Sequence, residues 1–183
     1  MLKLVGLSGS LRPGSHSTAA LRAGLRIAAE SGAATELLDL RELNLPVYLP
    51  DLALEDYPAE AQGAISRLVA AFRSADVMLW ATPTYHGCMS GALKNAIDYM
   101  QLLARDSAPY LQGRAVGLVA LATPAPLGNM ADCVTELRAW LAPTRVTLTA
   151  NDFSPEGTLT SESGNRRLTR VVTELLGFHR ALR

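Results

Sequence analysis

The chain has 183 residues, enough to bury one sizeable core and giving no reason to divide it. Its 17 Lys and Arg offset 17 Asp and Glu without a long basic run, which removes the usual basis for binding nucleic acid or an anionic bilayer. No apolar run approaches the roughly 20 residues of a bilayer span, Met1 leads into a strand rather than a secretory leader, and Cys88 and Cys133 lack the spacing of a zinc site; residues 1–183 are expected to be one cytoplasmic domain with reduced thiols and no metal.

Leu2–Leu7 is a short apolar run ending in small polar residues, the pattern of a strand buried on both faces. Leu21, Leu25 and Ala28 recur at helical spacing within about Ser17–Ser31, and Gly32 sits where a C-terminal cap belongs. Glu36–Leu40 reads as a second strand. Residues 43–58 carry Pro46, Pro50 and Pro58 among Leu, Val and Tyr, too many prolines for regular structure and too apolar to run free, so they should lie against the body. Ile65, Leu68, Val69 and Phe72 mark a helix over Ala59–Ser74, followed by a third strand at Asp76–Ala81. Gly91 to about Leu103 reads as a helix and Ala115–Ala122 as a fourth strand. Met130–Leu141 is expected to be a helix stopped before Pro143. A fifth strand at about Arg145–Thr149, a loop at Asn151–Ser161 and a last helix at about Ser163–Ala181 complete the chain. Arg166, Arg167, Arg170, Arg180 and Arg183 read as the solvated face of that last stretch.

Strands alternating with helices imply right-handed crossovers and a parallel sheet covered on both faces. The expected class is α/β, a flavodoxin-like three-layer sandwich with strand order 2-1-3-4-5. Ligands of that arrangement bind where the order reverses, at the carboxyl ends of strands one and three.

The first of those two loops is suited to an anion. Ser8-Gly9-Ser10-Leu11-Arg12-Pro13-Gly14-Ser15-His16-Ser17-Thr18 joins strand to helix with five hydroxyls, one guanidinium, and Gly9 and Gly14 for tight turns. A helix start offers unpaired N–H groups and a partial positive charge. The loop has no Gly-Lys-Ser/Thr ending, and its glycines miss the dinucleotide spacing, so a terminal monophosphate suits it better than a triphosphate or pyrophosphate. The alternative is an ordinary turn capped by Ser15 or Ser17. The second loop, Ala81-Thr82-Pro83-Thr84-Tyr85-His86-Gly87-Cys88-Met89-Ser90-Gly91, combines a fixed Pro83, glycines that permit close approach and an aromatic Tyr85, and could lie along a flat heteroaromatic ring.

Here the sequence resembles the NADPH-dependent FMN reductase family, a flavodoxin-like group that includes quinone, azo-dye, chromate and arsenical reductases. Gly9-Ser10-Leu11-Arg12-Pro13-Gly14-Ser15 is similar to the family's phosphate loop. Pro83-x-Tyr85-His86 followed by Ser90-Gly91-Ala92-Leu93-Lys94-Asn95-Ala96-Ile97-Asp98 is similar to its isoalloxazine loop and the helix after it. The resemblance covers about residues 2–180. It implies that Ser10, Arg12, Ser15 and Ser17 hold the phosphate of FMN, and that Pro83, Thr84, Tyr85, His86 and Gly87 line the flavin ring. It also implies NADPH or NADH as co-substrate, a small electron acceptor such as a quinone, and a homodimer or homotetramer. Ser17 and Ser90 stand where the family often has Asn and Pro, the latter suggesting a looser helix start, and Thr123–Gly128 replaces an often glycine-rich third loop.

A flavin carries hydride and electron chemistry itself, so no catalytic triad is required. N–H groups from Tyr85 to Gly87 are expected to face the ring edge that becomes negative on reduction. His86 is a candidate donor to the ring or a quinone, or a local hydrogen-bonding partner. Cys88 reads as a buried small hydrophobe, and Lys94 with Asp98 as a helix-surface pair. Tyr48, Tyr57 and Tyr110 are candidates to cover the ring or a subunit face, or simply half-buried aromatics. Three alternatives to a prosthetic-FMN oxidoreductase stay open: a reductase that releases reduced FMN to a monooxygenase, an electron carrier, and a non-enzymatic module.

Overall fold

Five strands, β1 (Lys3–Ser8), β2 (Ala34–Asp39), β3 (Val77–Pro83), β4 (Ala115–Leu121) and β5 (Trp140–Leu148), pair in parallel in the order β2-β1-β3-β4-β5 in a computed structural model that describes residues 1–181. The central strands are apolar on both faces, and their period of two sends alternate side chains to opposite layers. Val5, Leu7, Met78, Trp80, Val116 and Leu118 join a core with helices α3 (Ala59–Ser74), α4 (Gly91–Asp98) and α5 (Pro126–Glu136). Leu4, Val77, Leu79, Val119 and Leu121 face α1 (His16–Glu30) and α6 (Glu162–Ala181). A short α2 (Leu40–Leu43) follows β2 directly.

β1 lies between β2 and β3, so the chain leaves it toward one edge and returns on its other side. The loops after β1 and β3 diverge there and leave a crevice at the carboxyl ends of the strands. This is the expected sandwich and the expected order.

Three expected elements shift. The helix foreseen over Met130–Leu141 is α5, which starts earlier at Pro126 and ends at Glu136, while Trp140 and Leu141 already belong to β5. Pro143 does not stop a helix; it lies in an edge strand where the register with β4 slips between Val116 and Leu118. A missing N–H is tolerated at such an irregular edge position. The stretch from Gly91 to Leu103 is α only to Asp98 and then tightens into 3-10 turns over Tyr99–Leu103.

The proline-rich segment lies against the body, as its composition demands. Asn95 clamps it from α4, donating to the Pro46 carbonyl at 2.8 Å and accepting the Tyr48 N–H at 2.8 Å. Tyr48 and Tyr57 pack around the buried Tyr99, so these two aromatics seal the core rather than cover a ring. Tyr110 sits under Arg138 and bonds Gln101. On α6, Arg166 and Arg170 pair with Glu162 and Glu174 one turn away, and Arg167 reaches Asp152; Arg183 lies outside the described residues. Among the described residues no helix is long and apolar enough to cross a membrane, and no cluster of His, Cys, Asp and Glu could hold a metal.

Candidate functional site

The β1–α1 loop uses some hydroxyls to build itself and leaves others open. Ser15 is the N-cap of α1: its Oγ accepts the Thr18 N–H at 3.2 Å. Thr18 Oγ1 lies 3.0 Å from Ser15 Oγ and 2.8 Å from Ser8 Oγ, a relay that fixes the loop from its first residue to the helix start. Ser10 Oγ accepts the Arg12 N–H at 3.3 Å. Among the described residues, the Ser17 hydroxyl, the guanidinium of Arg12 and the N–H groups of Ser15, His16 and Ser17 make no hydrogen bond. These unpaired donors sit at the positive end of a 15-residue helix, which is the chemistry a phosphate monoester requires.

Gly14, at φ 61°, makes the expected turn. Gly9 has another reason to be glycine. A Cβ there would fall 2.8 Å from Leu93 Cβ and 3.0 Å from Ser90 Oγ, so the residue marks where the first loop touches the start of α4. Ser90 makes that joint. Its buried hydroxyl accepts the Leu93 N–H at 3.1 Å as the N-cap of α4 and donates to the Gly9 carbonyl at 2.5 Å. The helix start is therefore anchored, not loosened, by serine in place of proline. Ser is a preferred N-cap, and that preference was the sequence signal for this role.

The β3–α4 loop is closed on itself. Tyr85 and Cys88 exchange both backbone hydrogen bonds, at 3.0 and 2.9 Å, across His86 at φ 52° and Gly87 at φ 81°. Two central residues with positive φ make the type I′ turn of a two-residue hairpin. The Tyr85 N–H is committed within it, so of the expected ring-edge donors only His86 and Gly87 keep N–H groups without a partner among the described residues. Thr84 Oγ1 donates to the Leu121 carbonyl at 2.6 Å and accepts from Thr123 at 3.3 Å, and the Met89 N–H donates to Asn129 at 3.2 Å. The third loop thus props up the second.

Both loops open on one cavity of about 580 Å³. Ser10, Arg12, Ser15 and Ser17 line one wall, and Pro83, Thr84 and Tyr85 another; His86 and Gly87, expected there, are outside the lining. Tyr85 is 53% exposed, an aromatic surface held at the mouth. Leu121 and Ala122 after β4 add an apolar wall. A fourth wall was not foreseen: Ala150, Pro155, Glu156 and Gly157 from the β5–α6 loop. That loop docks through Phe153, whose ring stacks on His16 at 4.3 Å and 7°. Nothing in the local sequence signals a contact between residues so far apart.

One other expectation changes. Cys88 is exposed rather than buried, because the hairpin turn holds it at the surface. Both cysteines are free, and burial pushes the Cys133 thiol above its ordinary value. Lys94 and Asp98 do form the helix-surface pair.

The family model described as NADPH-dependent FMN reductase matches residues 2–154. An NAD(P)H-dependent FMN reductase of Pseudomonas aeruginosa is 39% identical over 98 residues, covering 54% of this chain and 49% of that protein. An FMN-dependent NADPH-azoreductase of Staphylococcus saprophyticus is 28% identical over 176 residues, covering 93% and 91%. The chain spans about half the length of several curated relatives it matches. The solved structure of a flavoenzyme NAD(P)H:acceptor oxidoreductase from Paracoccus denitrificans has the same fold, with a TM-score of 0.74 at 21% identity over 99% of this chain and 98% of that one. With the family match extending from β1 through β5 and both crevice loops, the chain belongs to the NADPH-dependent FMN reductase family.

Proposed function

We propose that this chain binds FMN in the four-walled cavity and is an oxidoreductase that moves reducing equivalents from NADPH or NADH to a small acceptor such as a quinone. One observation carries the reading: unpaired phosphate donors on the β1–α1 wall face the same cavity as a hydrogen-bond-closed loop bearing Tyr85. The donor set fits a monoester dianion, and the Pro83–Tyr85 and Leu121–Ala122 walls fit a flat ring system. In this reading Arg12, Ser10, Ser15 and Ser17 hold the phosphate, and Pro83, Thr84 and Tyr85 line the ring. His86 and Gly87, in the turn next to that wall, keep two N–H groups without a partner among the described residues, donors suited to negative charge at the ring edge. FMN, when bound, supplies the hydride acceptor and passes electrons on; the protein orients it and sets its potential.

The reading includes a single domain, a cytoplasmic location and a homodimer or homotetramer. The face between α2 and α4, where Leu11 is 56% and Val47 73% exposed beside a groove lined by Leu45 and Ala92, is the surface suited to a second copy.

The test is the visible spectrum after FMN addition and desalting, followed by anaerobic NADPH and NADH. A retained flavin band bleached by either nucleotide, with parallel initial-rate lines for nucleotide and acceptor, is the expected result. A retained band that neither nucleotide bleaches points to an electron carrier. Failure to retain flavin, together with no NAD(P)H oxidation in the presence of free FMN, overturns the reading.

A further inference from the structure

We propose that Glu156 is a specificity residue that restricts this cavity to flavins with a single phosphate and disfavours FAD; the inference rests on the FMN reading above. The cavity's lining contains one guanidinium, Arg12, no lysine, and one carboxylate, Glu156. The donors for phosphate are concentrated on the wall made by residues 10–17. A monoester engages them fully. A diphosphate must place its second anionic group elsewhere in the same cavity, where the remaining walls are Pro83–Tyr85, Leu121, Ala122, Ala150 and the Pro155–Gly157 turn. Those walls offer no second guanidinium or ammonium. They offer a carboxylate.

The turn that carries Glu156 is held in place against this cavity. The Phe153–Leu159 bridge and the Ser154 N–H to Thr158 carbonyl bond at 2.8 Å make a hairpin, and the Gly157 N–H closes its tip on the Ser154 carbonyl at 2.8 Å. Pro155 stands at the first corner, a position its fixed φ favours. The hairpin base is pinned by the Phe153–His16 stack and by Asp152, which accepts from the Thr149 N–H at 2.8 Å and pairs with Arg167 at 3.4 Å. A Cβ on Gly157 would come within 3.9 Å of the Gly14 carbonyl, so the tip rests at the rim of the phosphate loop. The Ser154 hydroxyl and the residue's own N–H favour the charged form and hold the Glu156 carboxyl below its ordinary value, so it is ionised wherever the enzyme would work.

Like charges a few ångströms apart near a surface repel measurably, and salt weakens the effect. The experiment is calorimetric titration of the apoprotein with FMN and with FAD, for the wild type, Glu156→Gln and Glu156→Asp, at low and high salt. Glu156→Gln is expected to raise the FAD affinity relative to FMN about three- to tenfold at low salt. Glu156→Asp should keep most of the discrimination, and high salt should narrow it in the wild type but not in the Gln variant. A FAD-to-FMN affinity ratio unchanged by Glu156→Gln, with FMN still bound, overturns the proposal and leaves the FMN reading intact. A wild type that binds neither flavin overturns both. Glu156 is at the surface, so its substitution should leave the fold undisturbed.

Discussion

The β1–α1 loop and the β3–α4 loop reach the same cavity by opposite uses of their polar groups. The first ends with Arg12, the Ser17 hydroxyl and three N–H groups unpaired among the described residues. The second commits Tyr85 and Cys88 to each other, Thr84 to the third loop and Ser90 to Gly9. The first loop leaves most of its donors open, and the second spends most of its polar groups on its own shape. Changes in the first should therefore alter binding with little effect on stability, and changes in the second or at the joint between them should do the reverse.

The largest expected effects test that division directly. Gly9→Ala puts a methyl carbon against Leu93 Cβ, which cannot swing aside, so overpacking should cost about 1–3 kcal/mol and lower Tm by roughly 2–10 °C. Arg12→Ala removes a guanidinium that has no hydrogen bond or ion pair among the described residues and should leave Tm near its wild-type value while weakening FMN about tenfold, measured by flavin titration. Equal losses of Tm and affinity in both variants would dissolve the distinction. At the joint, Ser90→Ala removes a cap and leaves the Gly9 carbonyl without its donor, for a loss of about 1–2 kcal/mol seen as a shift in urea midpoint.

The β5–α6 wall adds a pH-dependent term. Burial works against ionised Asp152, but bonds from the Thr149 N–H, the Ser161 and Thr149 side chains and Arg167 outweigh it, and its carboxyl falls below the ordinary 3.8. Glu174 behaves alike, with burial offset by Thr144 and Arg170 and its carboxyl below 4.5. Folding therefore binds fewer protons than the unfolded chain in acid. The stability these groups contribute is complete above about pH 4.5 and is lost as pH falls through their folded values. Urea midpoints should hold steady from pH 7 to about 5 and fall below pH 4, and Asp152→Asn should flatten that fall.

The two halves of the site also differ in how far the sequence reveals them. The strand pattern and the hydroxyl-rich run from Ser8 to Thr18 are local, and from them came the strands, the sheet order they imply, the capping serine and the loop whose donors stay open. Tyr85, Pro83 and Thr84 were legible because a loop after β3 must open on the same crevice. The hairpin that closes around His86 was not, because His-Gly is a weaker turn signal than Asn-Gly and a non-glycine φ of 52° cannot be read from residue type. The Phe153–His16 stack and the Glu156 wall depend on two segments about 137 residues apart meeting in space, which no window of sequence contains. Pro143 misled for a related reason: it is helix-breaking in isolation, and only the irregular edge pairing of β5 makes it acceptable.

The smallest effect is the one that isolates the second loop's shape. His86 holds a positive φ that costs an L-residue about 1 kcal/mol, and its ring is outside the cavity lining. If the residue serves through its backbone N–H, His86→Gly should keep the turn, relieve the strain and raise stability by up to about 1 kcal/mol, less the entropy glycine adds to the unfolded chain. The FMN affinity and the reduction rate by NADPH should then stay within about twofold of wild type, whereas His86→Val should destabilise the turn because a β-branched residue resists positive φ. A large loss of reduction rate in His86→Gly with FMN still bound would instead assign the imidazole a direct role. That outcome would mean that the closed loop gives the ligand a side chain as well as the N–H groups of His86 and Gly87, and the contrast between the two loops would narrow to the first loop's larger set of unpaired donors.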